Sequence, residues 1–509
     1  MFHQYVTVRE TTSSRNSSIR ISLVPRLLGI AALLTGLLGA SIQHARASAP
    51  FVVNVTGDAH DATIGDGLCD TGGGVCTLRA AIEEANADPG SDTIDFNLPG
   101  GGVHVMGISL DNLPQITDPL ILDGTSNPSC AVPCIVLSGA NLGAFSINGL
   151  QLNTHDSTVK GFIITSWSNY SGIEVLGNSN TIQSNDIGFW PGNPTPLPNG
   201  DGIRLFGSNN LIGGTTPAQR NVISGNGEYG IQVSNGCCAT VSSNVISGNF
   251  IGTSPLGNDA LGNGQSGILA TSGADHSSIL NNVISGNLGC GIDLAGDDLD
   301  PGASNTLVRG NKIGTNAAGR GAVGNGFCGI LISYRAINNS IGGTASGQGN
   351  IIAYNGGSGV SVQNSATMSN RITHNSIFSN TGLGIDLGPA GVTPNDTLDA
   401  DSGPNQLQNF PGLTSAASGT FRINGRLNST PSQTFTIEFF ASPAGSCDPS
   451  HFGEGKTYLG SQNVVTNAAG NANFSFRSPV GIRAGQSITA TATDSAGNTS
   501  EFSRCRPVS

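Results

Sequence analysis

Bulky and charged side chains are both scarce in this chain. Aromatic residues fill 5% of its 509 positions, with two Trp and three Met, and charged residues fill 11%. The length is enough for more than one domain, yet the aromatic mass that fills an ordinary globular core is missing. Basic residues are the rarest charges, 21 Lys and Arg against 33 Asp and Glu, for a net charge of −12. Affinity for phosphate comes from clustered cations, so this balance argues against a nucleic-acid or anionic-membrane partner. No helical period dominates the chain, and no nucleophile motif, phosphate loop or metal triad appears. No His-rich cluster at ligand spacing accompanies the ten Cys, which argues against zinc. The apolar run from Leu27 to Ile42 is shorter than the roughly 20 residues of a membrane span.

Glycine, by contrast, is abundant, at 74 residues, and it is periodic. One phrase returns eight times: GIEV from Gly172, then GIRL (202), GIQV (230), GILA (267), GIDL (291), GILI (329), GVSV (359) and GIDL (384). A second phrase alternates with it: NTIQSN from Asn180, NVISGN (221, 244, 282), NKIGTN (311), NIIAYN (350) and NSIFSN (375). Each unit is a short β-branched run bounded by Gly, Asn and Ser, too small to bury a hydrophobic face alone, so the pattern predicts strands stacked into a solenoid. In such a parallel β-helix the Ile and Val of Gly-Ile-x-Val point inward and x points out. Gly and Asn suit the corners, and the repeated Asn predicts a stacked amide ladder. Counted from the Asn phrases, long and short coils alternate and the true repeat is a double coil. The extra residues of the long coils begin at Ile187, Ile251 and Ile313 and predict loops rising every second coil beside the Gly-Ile face.

Residues 1–47 read as an export signal: Arg9, Arg15, Arg20 and Arg26 precede the apolar run, and Ala45-Arg46-Ala47 or Ala47-Ser48-Ala49 offers a small-x-small cleavage site. An uncleaved anchor is the alternative. The expected location is secreted or cell-surface, with no membrane insertion after signal cleavage. An even number of Cys agrees with export as disulfides. Cys290 and Cys328 each precede a Gly-Ile phrase in neighbouring coils, which sets their Cα atoms about one strand spacing apart. Cys69 with Cys76, Cys130 with Cys134, and Cys447 with Cys505 are the expected local pairs; for Cys237 and Cys238 a vicinal bridge and two thiols both stay open.

The mature chain opens with a strand, FVVNVT, a loop, and a helix, TLRAAIEEANA, capped by Thr77 and stopped by Asp88-Pro89-Gly90. Residues 48–98, with CTLRAA at Cys76 to Ala81, resemble the CSLREA domain that precedes right-handed β-helix repeats in exported microbial proteins, although Ala80 replaces the Glu of the family's capping box. The resemblance implies a cap on the open end of the solenoid. Residues 99–411 resemble the right-handed parallel β-helix proteins of the pectate-lyase-like superfold, through IGGT, NVISGN and the later GIDLGPAGVTPND. About ten to twelve coils are expected. Residues 412–509 change pattern: FRINGRL, TFTIEFFA, TYLGSQNVVT, NANFSF and SITATAT predict a C-terminal antiparallel β-sandwich of immunoglobulin-like type. The fold class is therefore all-β.

The outward x positions write one column: Glu174, Arg204, Gln232, Leu269, Asp293, Leu331, Ser361 and Asp386. The resemblance implies a glycan lying along such a face. Glu174 and Arg204, with Phe189 and Trp190 of the first long loop, and Gln232 and Asp293 further along, are the candidate sugar contacts; the alternative for the aromatics is packing under their own loop. Asp396, Asp399, Asp401 and Asn405 are a candidate Ca2+ set, oxygen ligands at alternate positions near Gly; Asp and Asn are also ordinary turn residues. Gly296-Asp297-Asp298, followed by Asp300, resembles one piece of a polygalacturonase pattern whose His and Arg-x-Lys pieces are missing. The expected function is an extracellular protein that binds polysaccharide or a cell-surface glycan, or mediates adhesion. The alternatives are a polysaccharide lyase or hydrolase working on the Gly-Ile face, and a surface spacer.

Overall fold

The structure, a computed structural model, describes residues 49–128, 133–142, 147–193, 195–236, 241–271, 273–296 and 302–509. The expected signal at 1–47, Cys130, Cys237, Cys238, Asp297, Asp298 and Asp300 lie outside them. No helix among the described residues is long and apolar enough to cross a membrane.

Three long parallel sheets of 11, 10 and 9 strands run side by side, and successive strands of the chain move from the first sheet to the second, to the third, and back to the first. This is a right-handed parallel β-helix, the hand that connections between parallel strands take. The second sheet has one strand per coil, so the described residues form ten coils. The Gly-Ile phrases form the third sheet, with Ile173, Val175, Ile203, Leu205, Ile231 and Val233 at most 1% exposed. The inward Ile, Leu and Val from all three sheets make one continuous core.

The Asn phrases divide between two sheets. Those starting at 180 and 244 lie on the first sheet, at Thr181–Gln183 and Val245–Ser247, whereas those starting at 221, 282, 311, 350 and 375 lie on the second. Counting them as one position misassigned individual coils, because both corners use the same Asn-x-Ile pattern. The alternation survives when coils are measured at one corner. There Asn185, Asn221, Asn249, Asn282, Asn311, Asn350 and Asn375 stack at separations of 36, 28, 33, 29, 39 and 25 residues. A second amide ladder, Asn199, Asn226, Asn263, Asn287, Asn325, Asn355 and Asn380, lines the corner before the third sheet with side chain to side chain bonds of 2.8–3.0 Å. The left-handed residue at the first of these corners is the one before the ladder Asn, Ser184 at φ 60° or Asn281 at φ 56°. The Gly of Gly-Ile serves close approach: a Cβ on Gly202 would stand 2.5 Å from the Gly230 carbonyl oxygen and 2.6 Å from Ile223 Cγ2.

Both ends of the stack are covered. Phe51–Val53 pairs with Asp92–Phe96 and extends the first sheet past the first coil. The helix Leu78–Ala87 packs against it with Leu78, Ala81, Ile82 and Ala85 in the solenoid core, and the Thr77 hydroxyl oxygen caps it by accepting from the Ala80 N–H. Two charged helix residues are buried as well. Arg79 pairs with Asp58 and Asp111, and Glu84 accepts from the Gly65 and Gly67 amides, which pins the preceding loop.

At the far end, antiparallel sheets of three and four strands face each other over their own core, as in a β-sandwich. The first holds Gly412–Ala417, Arg422–Asn428 and Asn471–Arg477; the second holds Thr457–Val465, Thr434–Ser442, Ser487–Thr493 and Arg506–Pro507. The sandwich substitutes for an eleventh coil. Phe440 and Phe502 enter the solenoid core, and three of its glutamates take the hydrogen bonds that a next coil would have taken. Glu438 accepts from Thr373 Oγ1 and the His374 amide, Glu454 from the amide and side chain of Asn380, and Glu501 from the Leu387 and Thr393 amides.

Three of the expected disulfides are bonded: Cys69–Cys76, Cys290–Cys328 and Cys447–Cys505. Cys290 and Cys328 have Cα atoms 4.6 Å apart, about one strand spacing.

Candidate functional site

Because strand side chains alternate and the register does not slip, the x positions of the third sheet form one unbroken column. Glu174 pairs with Arg204, Arg204 with Gln232, Gln232 with Leu269, Leu269 with Asp293, Asp293 with Leu331, Leu331 with Ser361 and Ser361 with Asp386, while Gln151 precedes Glu174.

The charges on this column pair in ways that strand spacing does not reveal. Arg204 turns to Asp201 of its own coil, with Nη2 and Nε at 2.6 and 3.0 Å from Oδ2, and Glu174 accepts from Gln151 Nε2 at 2.8 Å. The expected pairing of Glu174 and Arg204 as one polar end thus separates into two local contacts. In the middle of the column two polar atoms are buried without a hydrogen-bond partner, Gln232 Oε1 and Asp293 Oδ1. Burial pushes the Asp293 carboxyl up to about 6. Tyr229 lies close enough to feel it: burial first, and then the negative charges of Asp293, Asp201 and Glu228, raise the phenol. Exposed apolar groups stand at the corner just before this sheet, Leu288 at 63% and Phe327 at 67% exposure. Phe327 lies in the third long loop, where Asn-Gly-Phe-Cys reads as one more turn; only its position one residue before a bonded Cys marks it as lying beside the column.

The first long loop does not join this face. The outer side of the second sheet carries Val222, Phe250 and Val283, and Phe189, 4% exposed, packs on them with Leu261 and Ala317 of the later loops. The three loops close alike, Leu197 N–H to the Gly188 carbonyl at 3.1 Å, Leu261 to Gly252 at 2.9 Å and Val323 to Gly314 at 3.0 Å. Arg220 adds its guanidinium over the Phe250 ring at 3.9 Å. Phe189 is therefore a core residue of its own loop, and half-buried Trp190 belongs to that same loop. The missed signal was the apolar residue between Asn and Ile in Asn-Val-Ile and Asn-Phe-Ile, which needs a cover once it faces out. Asp186 lies on the same outer side, 8% exposed and pushed up to about 7 by burial.

Of the candidate Ca2+ ligands, Asp396, Asp399 and Asp401 come together, one oxygen from each within 4.8 Å of the others. Asn405 does not. It is buried in the ladder before the first sheet, where Oδ1 accepts from the Asn370 amide and Nδ2 donates to the Asn370 and Thr499 carbonyls. Part of the acidic set is already engaged: Asp396 accepts from the Ala400 and Asp401 amides, and Asp399 from the Asn409 amide and Ser429 Oγ. Burial, followed by the charges of Asp401 and Asp396, raises Asp399 to about 6 against those hydrogen bonds. Asp401 Oδ1 is buried without a partner. Three hard oxygen donors of this kind suit Ca2+ rather than a soft metal.

The column ends under a strap. After Leu387 the chain stays against the last coils, the Gly388 N–H donating to the Val362 carbonyl at 3.0 Å, and two open cavities of about 480 and 390 Å3 lie there with Asp386 and Ala390 in common.

A parallel β-helix with a polar column on one outer face is the class of protein that this fold and face define. No family model matches the chain, so the likeness to the CSLREA domain rests on its own motif, and no curated protein matches either. Among solved structures the chain is similar to full-length tailspike protein 2 of Escherichia coli O157:H7 bacteriophage CAB120, at 10% identity and a TM-score of 0.36 over 84% of this chain. It spans 65% of that protein's length. It is also similar to the A-module of the Azotobacter vinelandii mannuronan C-5 epimerase AlgE6, at 16% identity and 0.30 over 61% of this chain and 73% of that one. A third is the PL6 family polysaccharide lyase Pedsa3628 of Pseudopedobacter saltans, at 10% and 0.32 over 64% and 79%. Likeness at this level says nothing about ligand or reaction.

Proposed function

We propose that this is an extracellular protein that binds polysaccharide along the outer face of its third sheet. The observation that carries the reading is the pair of buried, unpartnered acceptors on that face, Gln232 Oε1 and Asp293 Oδ1, in register on either side of Leu269. Such atoms cost about 1–3 kcal/mol each unless a donor reaches them, and sugar hydroxyls are donors. Tyr229, Leu288 and Phe327 border the same face and offer apolar surface to sugar rings. The three disulfides support an oxidising compartment. In this reading residues 48–98 and 412–509 close the two ends, 99–411 carry the face, and Asp396, Asp399 and Asp401 are the Ca2+ ligands.

An Asp that holds its proton to about pH 6 also favours the enzyme alternative, since a general acid or base works best near the operating pH. One experiment separates the readings. The purified mature protein is incubated with a polysaccharide panel, with Ca2+ and with EDTA, while retention, reducing ends and unsaturated-uronate absorbance are followed. Retention without new ends supports binding, new ends support cleavage, and neither in any arm leaves the spacer. Asp293→Leu is expected to weaken retention at least about tenfold, the cost of one lost hydrogen bond to a charged group.

A further inference from the structure

The two cavities at the end of the column have a lining that restricts what can enter them. Asp386 is 8% exposed; Oδ2 accepts from Ser358 Oγ at 3.1 Å and the Gly391 amide also faces the carboxyl, whereas Oδ1 is buried without a close hydrogen-bond partner. The larger cavity also presents Ser361, Gln363 and Leu407, and the smaller presents Ser358 and Asp448. Among the described residues no Lys, Arg or His lines either one. The carboxyls nearby are Glu501, which feels the Asp386 charge, and Asp448, which raises Glu454. The column's Arg204 stands several coils away and is held by Asp201. Volumes of about 480 and 390 Å3 lie within the usual range for small-ligand sites, about 300–1,000 Å3.

Resting on the glycan reading above, we infer that the compartment around Asp386 takes a neutral, hydroxyl-rich sugar residue and rejects uronates. Vicinal hydroxyls of a neutral pyranose donate to the Asp386 carboxyl, and the hydroxyl and amide side chains around it both donate and accept, as sugar hydroxyls do. The leucine and proline surfaces of the lining meet the C–H face of the ring. In the absence of Ca2+ a uronate would bring a further negative charge beside Asp386 and Asp448 with no Lys, Arg or His among the described lining residues to offset it, the like-charge juxtaposition by which sites exclude a competitor.

The test is calorimetric titration of the full mature protein with neutral glucose, mannose and galactose oligosaccharides, and with alginate and polygalacturonate oligosaccharides, in Ca2+ and in EDTA. Two variants accompany the wild type: Asp386→Leu removes the acceptor, and Ala390→Phe adds bulk at a wall residue common to both cavities while keeping the carboxylate. A neutral oligosaccharide is expected to bind the wild type and to bind both variants at least about tenfold more weakly, the value of one lost hydrogen bond to a charged group. If Asp386→Leu fails to fold, as judged by its thermal unfolding, Ala390→Phe decides alone. The inference falls if neutral binding is untouched by the variants, or if uronates bind as tightly as neutral sugars. Uronate binding that Asp293→Leu weakens and Asp386→Leu does not would leave the glycan reading standing and overturn only this inference. No binding by any sugar would remove both.

Discussion

Asn263 shows what a single side chain does in this molecule. Its Oδ1 accepts from the Asn226 amide and from Asn226 Nδ2, and its Nδ2 donates to Asn287 Oδ1 and to the Ile223 carbonyl, so all of its capacity is used inside the stack. The side chain is 0% exposed. Asn263→Ala leaves several buried groups unmatched, each worth about 1–3 kcal/mol, so a loss of at least about 3 kcal/mol is expected in denaturant unfolding. Asn473→Ala, at an exposed strand position, is the comparison. The same accounting of donors and acceptors sets Gln232, Asp293 and Asp386 apart: the ladder asparagines are saturated, while these three have an oxygen left over.

At the scale of the element, the coil repeats because every corner reuses one solution, and the disulfide follows from that repetition. Cys290 and Cys328 occupy equivalent places in successive coils, 38 residues apart along the chain and 4.6 Å apart at Cα. Replacing both with Ser is expected to lower stability by about 2–4 kcal/mol in chemical unfolding, with equal unfolding of both forms under reductant. The long loops are elements of a different kind. They were legible as insertions, and their double-coil spacing was legible too, but their direction was not. A loop leaving the corner between the second and third sheets can fold to either side, and the apolar outer residues Val222, Phe250 and Val283 drew it over the second sheet, away from the column.

At the scale of the whole molecule, the solenoid is a stack whose last coil must be finished by something else, and buried glutamates finish it. Burial pushes Glu454 and Glu501 up to about 7 from an ordinary value of 4.5, against the hydrogen bonds that lower them; Asp448 faces the first and Asp386 the second. A carboxyl that holds its proton more tightly in the folded state stabilises fully below its unfolded value and loses that contribution as the pH rises through its folded value. The thermal unfolding midpoint is therefore expected to fall between about pH 5 and pH 8, and the double variant Glu454→Gln, Glu501→Gln to fall less over that window. Asp186, Asp293 and Asp399 act in the same direction.

Short-range chemistry was open to reading from the residues in order. Alternating apolar and polar positions, Gly where chains approach, and Asn at corners specify strands, their inward faces, the amide ladders and the Cys290–Cys328 pair, because in a stack of coils each position meets the same position one coil away. What lies off that lattice was decided only by the tertiary structure. Arg204 chose Asp201 over Glu174, Asn405 joined a ladder instead of an acidic loop, Phe189 went under its loop, and the strap after Leu387 made a compartment at Asp386. Each depends on which partner a flexible side chain or loop reaches first in space, and no repeat along the chain encodes that distance.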